Sequence, residues 1–519
     1  MAATTGPLPA GVLAEGRAGR REWIGLSVLT LACLVYAMDL TVLHLAVPQI
    51  SEQLHPTGSQ LLWIIDIYGF MVTGLLITMG TLGDRIGRRR LLLVGAAAFG
   101  AVSVIAAFSP TTETLILCRA LLGIAGATIA PSTLSLIFNM FRDARQRSIA
   151  VGTWVTAFSA GGVAGPLLGG VLLEHFWWGS VFLLAVPVMV LLLILGPRVL
   201  PEFRVANPGR LDLPSAGLSM VTMIAVVFAM KKIAQDGFGT VPLAALALGL
   251  LAGAAFVRRQ LTRPDPMLDL RLFGLSTFRT ALSVNMIGIF VAFGYFLFVA
   301  QYFQLVLGMT PMQAGLAMAP SSVGFIIGSQ AAPRIVRVVR PAYLVGAGMA
   351  IAAVGLGILT QVAVGGDPLV AVGASLLVSL GLAPVFGITT ELIVGSAPPE
   401  QAGAASGLSE TGAELGGALG ISILGSISIA IYRSDLADSL PHGFPGAETA
   451  RDTLGGAVEV AATLPEQLGS AVLTAAREAF VHGVHITAAI AAVAAAALSV
   501  LTIVKLRHLP AGELSGHGE

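Results

Sequence analysis

An all-α integral membrane protein of fourteen transmembrane helices is the fold class this sequence predicts, on three observations. Of its 519 residues 55% are hydrophobic and only 11% are charged, against roughly 25% charge in soluble domains. Mean hydropathy is +0.87. The apolar residues gather into long runs, and the arginines collect between alternate runs. The near-even balance of Lys+Arg 29 against Asp+Glu 28 argues against a nucleic-acid partner and places the partners inside the lipid bilayer. Cys33 and Cys118 both lie in apolar runs, which supports neither a disulfide framework nor a metal site; they read as small buried thiols.

A helix crossing ~30 Å of hydrocarbon needs about 20 mainly apolar residues, because its backbone groups must pair internally. Residues 1–22, with Arg17, Arg20 and Arg21 and no short apolar core before a cleavage site, read as a cytoplasmic tail. Spans one and two, 23–50 and 60–82, lead to Arg85, Arg88, Arg89 and Arg90. Spans three and four, 91–108 and 112–138, lead to Arg142, Arg145 and Arg147. Spans five and six, 147–173 and 178–196, lead to Arg198, Arg204 and Arg210, with Trp177 and Trp178 as an interfacial belt at the outer boundary. Spans seven and eight, 213–230 and 241–257, lead to Arg258, Arg259, Arg263, Arg271 and Arg279. Spans nine and ten, 277–299 and 312–332, lead to Arg334, Arg337 and Arg340. Spans eleven and twelve cover 342–363 and 368–394. Spans thirteen and fourteen, 401–432 and 479–504, flank the Ala-rich stretch 433–478, read as either a short outer helical hairpin or a disordered loop. A second cytoplasmic tail, 505–519, holds Lys505 and Arg507.

With the N-terminus inside, this count places twenty-three of the 29 basic residues on the inner face. Five fall outside, Lys231, Lys232, Arg433, Arg451 and Arg477, and Arg119 alone falls within a span. The separation satisfies the positive-inside rule and puts both termini in the cytoplasm. A weak repeat, Arg85-Ile86-Gly87-Arg88 after span two and Arg334-Ile335-Val336-Arg337 after span ten, divides the chain into a six-span bundle at 23–198, two inserted helices at 212–258 and a six-span bundle at 276–504.

Ionisable groups in a span cost roughly 2.5–3.5 kcal/mol each, so they are functional candidates by default. Five acids qualify: Asp39, Asp66, Glu391, Glu410 and Glu414, the last two one turn apart on one helix face. A carboxyl in low dielectric can take up a proton, and when ionised it attracts an organic cation. Competition between the two is the chemical basis of antiport. The alternative is that these acids pair with cations and only hold helices together. Arg119 either biases a nearby acid or braces span four. Trp63, Tyr68, Trp154 and Phe158 offer cation–π faces or serve as packing.

Several motifs together resemble the major facilitator superfamily, specifically its fourteen-span drug:proton antiporters, multidrug efflux pumps. Gly80-Thr81-Leu82-Gly83-Asp84-Arg85-Ile86-Gly87-Arg88-Arg89-Arg90 resembles the signature between spans two and three. Ser159 to Gly170, with Gly161, Gly165, Pro166 and Gly169, resembles the span-five motif found in exporters. Met38-Asp39-Leu40-Thr41-Val42 resembles the span-one motif, with His44 in place of the usual Asn. Leu117-Cys118-Arg119 resembles the span-four motif, with Leu122 where Gln is common. The segments around Asp66 and around Glu410 and Glu414 are similar to acid-bearing segments of the second and thirteenth spans of such pumps.

The resemblance implies that Asp84 and Arg85 belong to a charge relay broken during the conformational cycle. It implies that Arg119 takes part in proton transfer, and that Asp39, Asp66 and Glu410 couple protons or substrate cations. In pumps of this kind that handle divalent cations the tenth span bears an additional acid; none lies between residues 312 and 332, so the resemblance puts divalent substrates in doubt. The implied protein is a monomer that rocks its two bundles, needs no cofactor or metal, and uses the proton motive force to export hydrophobic, mostly monocationic drugs, dyes or antiseptics. A narrow exporter of one antibiotic or metabolite would use the same machinery. None of the three lysines belongs to a phosphate-loop motif and no His-Glu-x-x-His occurs, which disfavours an ATP-driven pump and a metalloprotease; nothing resembles a channel's selectivity filter.

Overall fold

The computed structural model describes residues 18–56, 58–204, 212–263, 266, 268–398, 401–439 and 446–511. Residues 1–17 and 512–519 of the expected tails, Arg210, and residues 440–445 of the outer stretch lie outside the described residues.

The described chain is helical, without a strand. A first group holds α1 (Arg20–Leu54), α2 (Gly58–Ile86), α3 (Arg88–Ala107), α4 (Thr112–Gly126), α5 (Ile129–Met140), α6 (Ala144–His175), α7 (Ser180–Leu183) and α8 (Ala185–Val199). Then follow α9 (Leu213–Asp236) and α10 (Thr240–Thr262). The last group is α11 (Ser276–Gln301), α12 (Pro311–Ile335), α13 (Pro341–Leu359), α14 (Pro368–Gly395), α15 (Ala402–Ser439), α16 (Ala447–Asp452), α17 (Leu454–Thr463) and α18 (Glu466–Leu506). Helices begin where the chain offers a cap. Asp143 accepts from the Gln146 amide, Thr310 and Gln313 form a capping box, and Pro311, Pro341 and Pro368 preset the first turns of α12 to α14.

Among the described residues twelve helical segments are long and apolar enough to cross a membrane, with α4 and α5 counting as one and α7 and α8 as another. Helices α6 and α12, of 32 and 25 residues, have spanning length but stand outside those twelve. In the stretch 433–478 the described residues include α16 and α17, and α18 already starts at Glu466. One sequence expectation changes: α9 continues past residue 230 to Asp236, so Lys231 lies on a helix and not in an outer loop. A long Lys stem can follow a helix to a polar partner, and Lys231 has one.

Two large apolar cores result, one in the first group around Leu29, Ile64, Phe99 and Phe141, one in the last around Phe278, Phe303, Val345 and Val378, and a small third joins Ile77, Phe256, Leu268 and Ala404. Within each, one helix pair is drawn together in the same way. Gly161 and Gly165 of α6 face Leu34 and Met38 of α1, and Gly416 and Gly420 of α15 face Met286 and Phe290 of α11. The spacing is four residues on all four helices, so the missing side chains fall on one face per helix and the backbones meet there. This packing repeat relates the two groups more directly than the arginine pattern does.

Helices α9 and α10 pair with each other, and α9 packs on both α2 and α15. Their near ends are tied by Asp212, which accepts from Arg259 Nε and Nη2 at 2.9 Å each and from Ser215 Oγ at 2.5 Å. The hydrogen bonds from Arg259 hold this carboxyl well below the usual carboxylate range.

Candidate functional site

The glycine contacts of α6 place α1 so that Asp39 faces α4. Asp39 and Arg119 are 7% and 2% exposed, and Arg119 Nη1 donates to Asp39 Oδ2 at 2.7 Å. Arg119 Nε donates to the Ile64 carbonyl at 3.2 Å, and its guanidinium lies 4.5 Å from the Tyr68 ring centroid. The charge is thus held by a carboxylate, a carbonyl and an aromatic face, the partners a buried guanidinium requires.

Tyr68 continues into a ring chain. Tyr36 lies 6.4 Å from Tyr68 and 5.5 Å from Phe158, and Phe158 lies 4.6 Å from Trp154. Three of the four aromatic candidates therefore join one cluster. Trp63 does not: it is 42% exposed and packs edge-on against Phe70. Tyr36 was not singled out from sequence, although it stands three residues before Asp39 and hence near its helix face.

Opposite this cluster stands α15. Glu410 and Glu414 are half-buried and have no hydrogen-bond or ion-pair partner among the described residues. Glu414 is in electrostatic reach of Tyr36, Tyr68 and Lys231, and Glu410 of Tyr36 and Cys33. Asp66, in α2, pairs with Lys231 Nζ at 2.5 Å, and that ammonium lies 5.1 Å from the Phe70 ring centroid. Sequence reading missed Lys231 because it ended span seven at residue 230, whereas α9 runs on to Asp236.

Glu391 is separate. It accepts from Ser148 Oγ through both carboxylate oxygens, at 2.9 and 2.7 Å, and Arg147 Nε lies 3.5 Å from Oε1. These contacts join α14 to α6 across the two groups. Beside them Thr156 Oγ1 and Ser329 Oγ are 2.7 Å apart, and Gly152 packs on the Ser329 carbonyl. The Gly80 to Arg90 segment closes the same end of the bundle. Asp84 pairs with Arg88, which is fully buried over Gly403 of α15, and Gly80 abuts the Gly403 carbonyl. Gly83 packs on the Arg88 stem. Gly87 takes φ +109°, with the Glu202 carboxylate where a Cβ would stand. Arg85 is half-buried beside them. Pro166 and Gly169 lie in α6, Gly169 buried; the Pro166 side chain is outside the described residues.

Two helical groups around a central set of acids, an arginine and aromatic rings define a multi-pass membrane transporter of the cell membrane, not an enzyme. The Major Facilitator Superfamily model matches residues 29–421, and the chain belongs to that family. It is 42% identical over 476 residues to the multidrug efflux pump LfrA of Mycolicibacterium smegmatis, covering 91% of this chain and 94% of that one. It is 36% identical over 478 residues to the methyl viologen resistance protein SmvA of Salmonella typhimurium, covering 90% and 95%. Among solved structures it shares the fold of the human organic anion transporter MFSD10, with TM-score 0.60, 15% identity, and coverage of 93% of this chain and 99% of that one.

Proposed function

We propose that the chain is a proton-coupled antiporter that exports lipophilic, mostly monocationic drugs, dyes or antiseptics through fourteen spans, with both termini in the cytoplasm. One observation carries this reading: the first group's Asp39–Arg119 pair converges on Tyr36 and Tyr68 with the last group's Glu410 and Glu414, which have no hydrogen-bond or ion-pair partner among the described residues. Ionised carboxylates beside aromatic faces suit a flat organic cation. The same carboxylates, once protonated, lose their attraction for it.

The inter-group contacts around Gly80, Gly403, Ser148, Glu391 and Ser329 lie at the end bearing the Arg85 to Arg90 loop, the cytoplasmic end by the positive-inside rule. The arrangement is accordingly closed at the cytoplasmic end. In this state protons arriving from outside neutralise the acids and release the cation outward. The groups then rock, the acids lose their protons to the cytoplasm, and a new cation enters. One charge moved through 100 mV is worth about 2.3 kcal/mol, so two protons inward per monocation outward would draw on both the voltage and the pH gradient. The relatives named for multidrug efflux and methyl viologen resistance support export as the direction.

The test is ethidium efflux from energised cells at matched expression. Asp39→Asn and Glu410→Gln should each abolish efflux, as should an uncoupler acting on the parent. Parental rates in either variant would overturn the site, and efflux indifferent to the uncoupler would overturn the coupling.

A further inference from the structure

Lys231 has no part in the cycle above, yet it reaches the acid site from α9, outside both helical groups. Its position follows from packing. Gly74 of α2 faces Met220 and Ile224 of α9, with a Cβ there 3.2 and 3.1 Å from their side chains, so these helices meet closely at that level. Asp66 lies about two turns before Gly74 and Lys231 about two turns after Ile224; on antiparallel helices both arrive at the same height. There the ammonium contacts Asp66 at 2.5 Å, lies 5.1 Å from the Phe70 centroid and is in electrostatic reach of Glu414. Carboxylate, aromatic face and second carboxylate are also the groups that the proposed function assigns to an organic cation. The Lys231 side chain is 36% exposed and that of Asp66 is 20% exposed, so the pair can separate without vacating a sealed core.

We infer that Lys231 is a resident cation of the transport site, supplied by the inserted helix α9, which an incoming substrate cation displaces from Asp66 and which limits the charge that the site accepts. With Lys231 in place the acids of the site carry one fewer net negative charge, which favours monocations over dications. The inserted pair α9–α10 then sets charge specificity in addition to bridging the two groups. This rests on the proposed antiport reading, and the experiments separate the two.

Purified full-length protein in nanodiscs is titrated with ethidium, a monocation, and methyl viologen, a dication. Lys231→Met should tighten methyl viologen binding by about fivefold relative to ethidium, the upper end for a partly exposed ion pair, and Lys231→Arg should keep the parental ratio. A ratio unchanged in Lys231→Met, or shifted equally in Lys231→Arg, overturns the inference while leaving cation binding by the parent intact. If the parent binds neither cation, the antiport reading falls with it. A second measurement needs no variant: amine acylation of the parent, followed at Lys231 by mass spectrometry, should accelerate when ethidium saturates the site, because the ammonium leaves Asp66. A rate that is unchanged or slower overturns the displacement.

Discussion

Replacing Arg119 by Met tests whether the buried ion pair is an interdependent unit. Arg119 and Asp39 are 2% and 7% exposed, and the substitution removes the 2.7 Å hydrogen bond, the 3.2 Å contact to the Ile64 carbonyl and the cation above Tyr68 while leaving a carboxylate in apolar surroundings. Breaking one side of a buried pair costs about 3–5 kcal/mol, roughly a few hundredfold to a few thousandfold in the folding equilibrium. Removing both charges with Asp39→Leu and Arg119→Met is expected to be neutral or stabilising, since a well-packed apolar pair also escapes the desolvation cost. Cys33 and Cys118 are both buried free thiols, so a thiol-reactive fluorogenic dye reports unfolding of the purified protein directly. The single variant should melt well below the parent and the double variant near it, while neither exports ethidium. A single variant that melts with the parent, or a double variant as unstable as the single, would refute the reasoning.

Two further perturbations address the contact of α2 with α15 and the pairing of α9 with α10. Gly80→Ala puts a methyl group against the Gly403 carbonyl and should part α2 from α15; efflux should fall at least about tenfold, with faster labelling of a cysteine introduced at Ser148, and unchanged labelling would count against closure at this contact. Asp212→Asn removes a carboxylate held below its ordinary range by Arg259. A depressed folded-state value contributes stability above the unfolded carboxylate value of about 3.9, lost as pH falls through the folded value. The variant should therefore melt below the parent by a constant margin from pH 8 to 5, and a margin that closes between pH 7 and 5 would contradict the ion pair.

Much of this protein is legible one residue at a time because the bilayer imposes its demands segment by segment. Each span must satisfy its own backbone and be apolar for its full length, so the helices could be located without knowing their neighbours. Each acid in a span is costly wherever it sits, so Asp39, Asp66, Glu391, Glu410 and Glu414 were identifiable as a set. Their roles were not, because a role depends on the partner across a helix interface. Asp39 meets Arg119, Asp66 meets a lysine from α9, Glu391 meets Ser148 and Arg147 between α14 and α6, and Glu410 and Glu414 have no hydrogen-bond or ion-pair partner among the described residues. Composition, the places of the long apolar helices and the clustering of arginines between them were determined by the sequence alone. Tertiary structure decided which acids are paired and which have no hydrogen-bond or ion-pair partner among the described residues, since glycine-lined contacts such as Gly161 on Leu34 and Gly74 on Ile224 set how closely helices distant in sequence approach, and only at that distance does a charge find its counter-ion.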